Sequence, residues 1–163
     1  MRDAIPAALR AGYRMIDTAQ CYRNEQTIGE VLQEIFQDTS LEGGLNRQDI
    51  FLVSKLHPAC KSYEDVKTRV KKTLEDLRTD YLDLFLIHWP GTSKLHAQSE
   101  ENKRLRFEKW KAIQELYQDG IFKAIGVSNF TKSHLEEFSQ YQQEVGLDGF
   151  IMPMVNQIEI HPA

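Results

Sequence analysis

The sequence predicts an α/β fold with a parallel sheet, and three observations predict it. Short apolar runs alternate with stretches of helical periodicity along the chain. The central run, YLDLFLIHWP at residues 81–90, is bounded by punctuation and ends in His88, Trp89 and the helix-breaking Pro90. Such a run reads as a strand buried on both faces, the environment a parallel sheet provides. Finally, each apolar run gives way to a hydrogen-bonding residue at its C-terminal end.

Taken in order, residues 5–11 form a short helix stopped by Gly12, a residue suited to a C-terminal cap. RMIDT at 14–18 is a brief strand that turns polar at Asp17 and Thr18. Residues 25–37 carry Ile28, Val31, Leu32, Ile35 and Phe36 at helical spacing. A polar loop with a Gly pair, 38–49, leads to the strand IFLVSK at 50–55. Ser62 and Asp65 form a capping box for a helix with Val66, Val70, Leu74 and Leu77 on one face. After the central strand comes a polar loop at 91–103 without apolar period, of the kind that is functional or mobile. A helix at 105–119, carrying Trp110, Ile113 and Leu116, is closed by Gly120. KAIGV at 123–127 is a strand ending in Ser128 and Asn129, Thr131 caps a helix to about residue 143, and MVNQIEI at 154–160 is the last strand. Helix, four strand–helix units and a final strand make one domain over residues 1–163, with parallel strands joined by right-handed crossovers.

The totals narrow the function classes. With 20 basic against 24 acidic residues, the net charge of −4 leaves no electrostatic footprint for nucleic acid. The basic cluster at 67–72 is interrupted by Val70 and followed by Glu75 and Asp76, so it reads as a solvated helix face. Cys21 and Cys60 form neither a disulfide framework nor a metal-ligand spacing, which fits a reducing compartment and no metal. No run reaches the ~18 apolar residues of a membrane span, and the first residues carry no signal-peptide core. A cytoplasmic protein without membrane or nucleic-acid partners is expected.

Parallel connectivity places every strand's C-terminal end on one edge of the sheet, where α/β barrels keep their chemistry. Asp17, Lys55, His88, Ser128 with Asn129, and Asn156 with Gln157 therefore converge, and Tyr22 lies on the loop above them. Each has an ordinary reading by itself: Asp17 a cap, Lys55 a surface or Schiff-base lysine, Tyr22 a packing aromatic, His88 a core histidine on a carbonyl. Helix packing gives no reason for successive strands all to end this way; a shared polar site does. A phenol titrates near ~10, and a neighbouring ammonium favours its phenolate. Asp17 can hold that ammonium, and His88 can hydrogen-bond a carbonyl oxygen. The set suits protonation of a carbonyl oxygen while something else attacks the carbon.

GYRMIDTAQCYRNEQTIGEVL, LVSKL, LDLFLIHWPG, KAIGVSNF and VNQIEIHP resemble, in order and spacing, the aldo-keto reductase family. The resemblance implies a (β/α)₈ barrel of the TIM type, here incomplete with about five parallel strands, in which NADPH (or NADH) delivers hydride to an aldehyde or ketone. It implies Tyr22 as general acid, Lys55 as its activating neighbour, Asp17 as partner of that lysine, and His88 as the carbonyl-orienting residue. Ser128, Asn129 and Gln157, with Asp17 beside them, match positions at the nicotinamide carboxamide. Trp89 would line the substrate pocket, and Asn24 and Glu25 belong to the helix start. Side chains with both donors and acceptors suit a carboxamide, and the lack of a GxGxxG turn agrees with a family that does not use that fingerprint.

A barrel of eight units takes about 250 residues, more than the 163 here. The family's opening hairpin, first barrel strand and everything after the sixth barrel strand fall outside, including the aromatic that stacks on nicotinamide and the segment gripping the adenosine phosphate. Five strands of eight leave two open edges. Residues 42–44 resemble an added loop, 142–150 a lengthened connection, and the loop after His88 a shortened one. The expected protein is a reductase of small carbonyl compounds, a monomer if complete; the alternatives are a truncated, non-catalytic relative and a lysine-dependent lyase.

Overall fold

The structure, a computed structural model, describes residues 1–38, 44–96, 99–146 and 149–161. The elements run α1 (Ala4–Arg10), β1 (Met15–Asp17), α2 (Glu25–Gln37), β2 (Phe51–Leu56), α3 (Tyr63–Leu77), β3 (Leu84–Ile87), α4 (Glu100–Gln118), β4 (Ile125–Ser128), α5 (Lys132–Val145) and β5 (Asn156–Gln157). The five strands form one all-parallel sheet in sequential order, β1-β2-β3-β4-β5. Sequential order with a helix in every crossover wraps the helices around one face of a curling sheet, and a five-stranded half-barrel results.

The two faces of the sheet divide by strand periodicity. Leu52, Leu56, Phe85, Ile87, Ile125 and Val127 point outward into the helices and join Ile28, Val66, Trp110 and Phe138 in the main core. Val53, Leu84 and Leu86 form a small apolar cluster on the inner face. Gly126 sits on that face because no side chain fits there: a Cβ would come within 2.5 Å of the Val155 carbonyl oxygen, so the glycine lets β5 lie against β4.

Most elements fall where periodicity puts them; the exceptions have physical causes. The helix expected at 105–119 starts at Glu100, because Ser99 accepts the Asn102 N–H at its N-cap and Glu100 and Glu101 suit the positive end of the dipole. In that first turn the buried residue is the polar Asn102, and the buried face stays polar at Arg106 and Lys109, so no apolar spacing extends the helix back to Glu100. Asn102 thereby fastens the loop after β3, accepting the Thr92 N–H at 2.7 Å and donating to the His96 carbonyl at 2.6 Å. The strand expected at 154–160 is only Asn156–Gln157, since among the described residues β4 is its sole partner and Ile158 and Ile160 are exposed. The capping box at α3 is half formed: Ser62 accepts from the Asp65 N–H, but Asp65 accepts from Lys61 instead of Ser62. The basic cluster is a solvated face, with Lys72 paired to Asp76 and Arg69 to Asp65. The added loop at 42–44 and the lengthened connection at 142–150 fall partly outside the described residues, as does the loop at 91–103.

The buried polar face of α4 carries a pH signature. Lys109 is 2% exposed, and its Nζ donates to Thr92 Oγ1 at 2.7 Å. Burial pushes its ammonium down from 10.5 to about 8. Between those values the unfolded chain holds a proton that the folded chain has released, so this lysine makes stability rise with pH across that window. Lys109→Met is expected to remove the rise. Denaturation midpoints across pH 7.5–10.5 should show wild type gaining on the variant by on the order of 2–3 kcal/mol; parallel curves would contradict this placement.

Candidate active site

The sheet's C-terminal edge gathers its polar residues around a buried cation. Lys55, on β2, is 1% exposed. Its Nζ donates to Asp17 Oδ1 at the end of β1 and to the Thr18 carbonyl at 3.0 Å. Strand register places the lysine beside Leu86 of β3, two residues before His88 and on the same face of the sheet. A charge in such a place requires a partner, because desolvating an ammonium costs several kcal/mol unless a carboxylate and carbonyls replace its water.

Asp17 reaches in two directions. Its Oδ1 takes the lysine, and its Oδ2 accepts from Gln157 Nε2 of β5 at 2.9 Å. In a flat sheet, strands four places apart would be separated by about 19 Å. A direct bond between the ends of β1 and β5 therefore requires the sheet to curl, and it closes a chord across the mouth.

Tyr22 ends a one-turn 3₁₀ segment, Gln20–Tyr22, closed by the Tyr22 N–H on the Ala19 carbonyl at 2.9 Å and followed by Arg23 in the left-handed region (φ 55°). Gln20 anchors this turn: its amide donates to Thr73 Oγ1 at 3.0 Å and its oxygen accepts the His57 N–H at 2.8 Å. Behind it, Thr18 Oγ1 donates to Asn24 Oδ1 at 2.6 Å, and buried Glu25 accepts from Ser54 Oγ at 2.5 Å and Thr73 Oγ1 at 3.2 Å. Burial raises the Glu25 carboxyl, against the pull of those two hydroxyls.

So supported, the Tyr22 ring stands over the mouth, 49% exposed, with the Lys55 ammonium 5.4 Å from its centroid. The His88 ring meets it edge-on, centroids 5.6 Å apart at 84°, and Trp89 stacks loosely beyond His88 at 6.3 Å. His88 is buried; desolvation, then the Lys55 charge, lowers its imidazole below the ordinary value, so it is neutral at pH 7. Cys21 Sγ lies 3.3 Å from His88 Nδ1.

Ser128, Asn129 and Gln157 complete the rim. Ser128 Oγ donates to the Gln157 carbonyl at 2.9 Å, and Asn129 Nδ2 donates to the His88 carbonyl at 3.0 Å and to Ser128 Oγ at 3.1 Å. Asn129 has φ 62°, a left-handed conformation that asparagine tolerates and that turns the chain off β4 at the rim. The Asn129 and Gln157 side-chain oxygens have no partner among the described residues, whereas the Gln157 amide is occupied by Asp17.

All eight residues expected at the site thus lie at this one edge. Sequence reasoning missed the supports, Thr18, Gln20 and Cys21, although QCY flanks and contains the tyrosine; a 3₁₀ turn has no periodic signal. The ion pair makes a stability prediction. Asp17→Asn leaves a buried cation uncompensated and should cost about 2–4 kcal/mol, whereas Lys55→Met in the Asp17→Asn background should restore part of the loss. Denaturant midpoints check this; an unchanged midpoint in Asp17→Asn would contradict the pair.

The chain matches the model of the Aldo/keto reductase family over residues 1–163. It is 40% identical over 160 residues to a glyoxal reductase of Bacillus subtilis (strain 168), covering 98% of this chain and 49% of that protein. Among solved structures, aldose reductase from Giardia lamblia superposes with a TM-score of 0.79 at 36% identity, over 98% of this chain and 53% of that one. An aldo-keto reductase of the silkworm, Bombyx mori, complexed with NADPH, superposes with a TM-score of 0.76 at 32% identity, over 98% and 45%. The chain spans about half the length of the relatives it matches. With five strands lying as a sector of the (β/α)₈ barrel that those structures share, the chain belongs to the aldo/keto reductase family.

Proposed function

We propose that this chain carries the proton-donating centre of a cytoplasmic, monomeric, NADPH-dependent reductase that converts small aldehydes or ketones to alcohols. One observation carries the reading: a buried ammonium, fixed by Asp17 and the Thr18 carbonyl, lies 5.4 Å from the ring centre of a half-exposed tyrosine, with a neutral imidazole edge-on to the same ring. Among the described residues no helix is long and apolar enough to cross a membrane.

Each group has a task that its surroundings suit. A carbonyl compound enters between Tyr22, His88 and the exposed face of Trp89, which supplies an apolar wall. The neutral His88 ring donates to the carbonyl oxygen and turns it toward the phenol. As negative charge develops on that oxygen, Tyr22 gives up its proton, and the Lys55 cation favours the phenolate left behind. Asp17 keeps the cation in position between turnovers.

The rim fits the nicotinamide end of the cofactor. A carboxamide offers two N–H donors and one acceptor; the unengaged oxygens of Asn129 and Gln157 suit the donors, and the Ser128 hydroxyl suits the acceptor once its proton turns away from the Gln157 carbonyl. When bound, NADPH supplies the hydride for the carbonyl carbon. NADH in its place is a weaker alternative on family resemblance alone.

Against a Schiff-base lyase stands the state of Lys55: an amine that attacks a carbonyl must be neutral and reachable, and this one is buried and ion-paired. A chain that retains the centre without turnover is favoured by one feature, the Gln157 amide spent on Asp17 instead of on a ligand. NADPH fluorescence quenching with micromolar affinity argues against that second reading. The reductase reading predicts that Tyr22→Phe loses about 10²–10⁴ in turnover of a simple aldehyde, followed by NADPH oxidation at 340 nm, with NADPH affinity retained. Unchanged turnover would remove Tyr22 as the acid.

A further inference from the structure

The thiol of Cys21 touches the imidazole of His88, and the proposed chemistry leaves it without a task. We propose that Cys21 is a positioning residue: its S–H donates to His88 Nδ1, so that the ring carries its own proton on Nε2 and presents a donor to the carbonyl oxygen. The inference deepens the reductase reading and rests on it for its kinetic part.

The geometry favours one tautomer. Sγ and Nδ1 are 3.3 Å apart, hydrogen-bond range for sulfur. If Nδ1 carried the proton, its acceptor would be a thiol sulfur; a thiol is weak both as acceptor and as donor, so the far nitrogen decides between the tautomers. Nε2 would then face the substrate with a lone pair, opposing a carbonyl oxygen's lone pairs with no donor between them. With the proton on sulfur, Nδ1 accepts and Nε2–H is left to donate. His88 Nε2 has no partner among the described residues.

Both groups are held, so the contact is not incidental. Cys21 is the middle residue of the 3₁₀ turn, whose start Gln20 bolts to Thr73 and to the His57 N–H. His88 is fixed through its backbone by the Asn129 amide on its carbonyl, and its ring is flanked by Tyr22 and Trp89.

Electrostatics distinguishes this pair from the Cys–His dyad of covalent catalysis. That dyad needs thiolate and imidazolium. Here burial raises the Cys21 thiol, while burial and the Lys55 charge lower the His88 imidazole, so thiol and neutral ring coexist at pH 7. Cys21 is a hydrogen-bond donor here and no nucleophile.

The test uses ¹⁵N-histidine-labelled protein and long-range ¹H–¹⁵N correlation spectra. In the wild type, His88 should show a proton-free Nδ1 and a protonated Nε2. Cys21→Ala should move both nitrogens toward tautomer-averaged shifts, and Cys21→Ser, whose hydroxyl also donates, should restore the wild-type pattern. In turnover with NADPH and a simple aldehyde, Cys21→Ala should lower kcat roughly ten-fold, the scale of one lost hydrogen bond. KM for NADPH should be unchanged and Cys21→Ser should recover most of the rate. A wild-type ring protonated on Nδ1, or spectra unchanged in Cys21→Ala, overturns the inference. Because the tautomer is read without turnover, an inactive protein with the expected spectra would refute the reductase reading and leave the Cys21 assignment standing.

Discussion

A lysine ammonium withdrawn from water at the mouth of a parallel half-barrel is the constraint to which the other features answer. Water removed from that charge must be replaced, and Asp17 and the Thr18 carbonyl replace it. Asp17 then has one oxygen left, which Gln157 occupies from the far edge of the sheet. The curl that this bond requires is what turns five strand ends into a rim. An ion pair of this kind adds little net stability compared with an apolar pair of the same shape; the proposed chemistry above it explains its presence better than the fold beneath it.

The rim holds one firm cation and a neutral imidazole, and that division matters. Two positive groups beside the phenol would compete for it and repel each other; the Lys55 charge already disfavours an imidazolium at His88. In the proposed reaction the imidazole acts as a neutral donor with a defined direction. The supports are arranged to keep that direction: Gln20 below the tyrosine turn, Asn129 on the His88 backbone, and Cys21 against the ring. Glu25, buried under the same turn and sharing Thr73 with Gln20, ties α2, β2 and α3 together beneath the site.

The strand ends were legible because parallel connectivity turns chain order into spatial convergence: once β1 to β5 are read as parallel, Asp17, Lys55, His88, Ser128 and Gln157 must meet. Helix α2 was legible because its buried stripe is apolar, Ile28 to Ile35. The first turn of α4 was not, since its buried residue is Asn102, a polar group where the pattern expects an apolar one. The length of β5 was not legible either: MVNQIEI alternates like a strand, but an edge strand extends only as far as its neighbour offers partners, here Val127 and Ser128. The contact of Cys21 with His88 joins residues 67 apart across a turn without period, and no local pattern announces it.

The central claim is that Asp17 serves proton transfer by way of Lys55, its contact with Gln157 bearing on cofactor binding and not on that step. A double-mutant cycle on aldehyde reduction by NADPH, comparing Asp17→Asn, Lys55→Met and the double variant, tests it most directly. The account predicts strong non-additivity, with the double variant turning over no more slowly than Lys55→Met alone. Losses that multiply would show two independent contributions and contradict it.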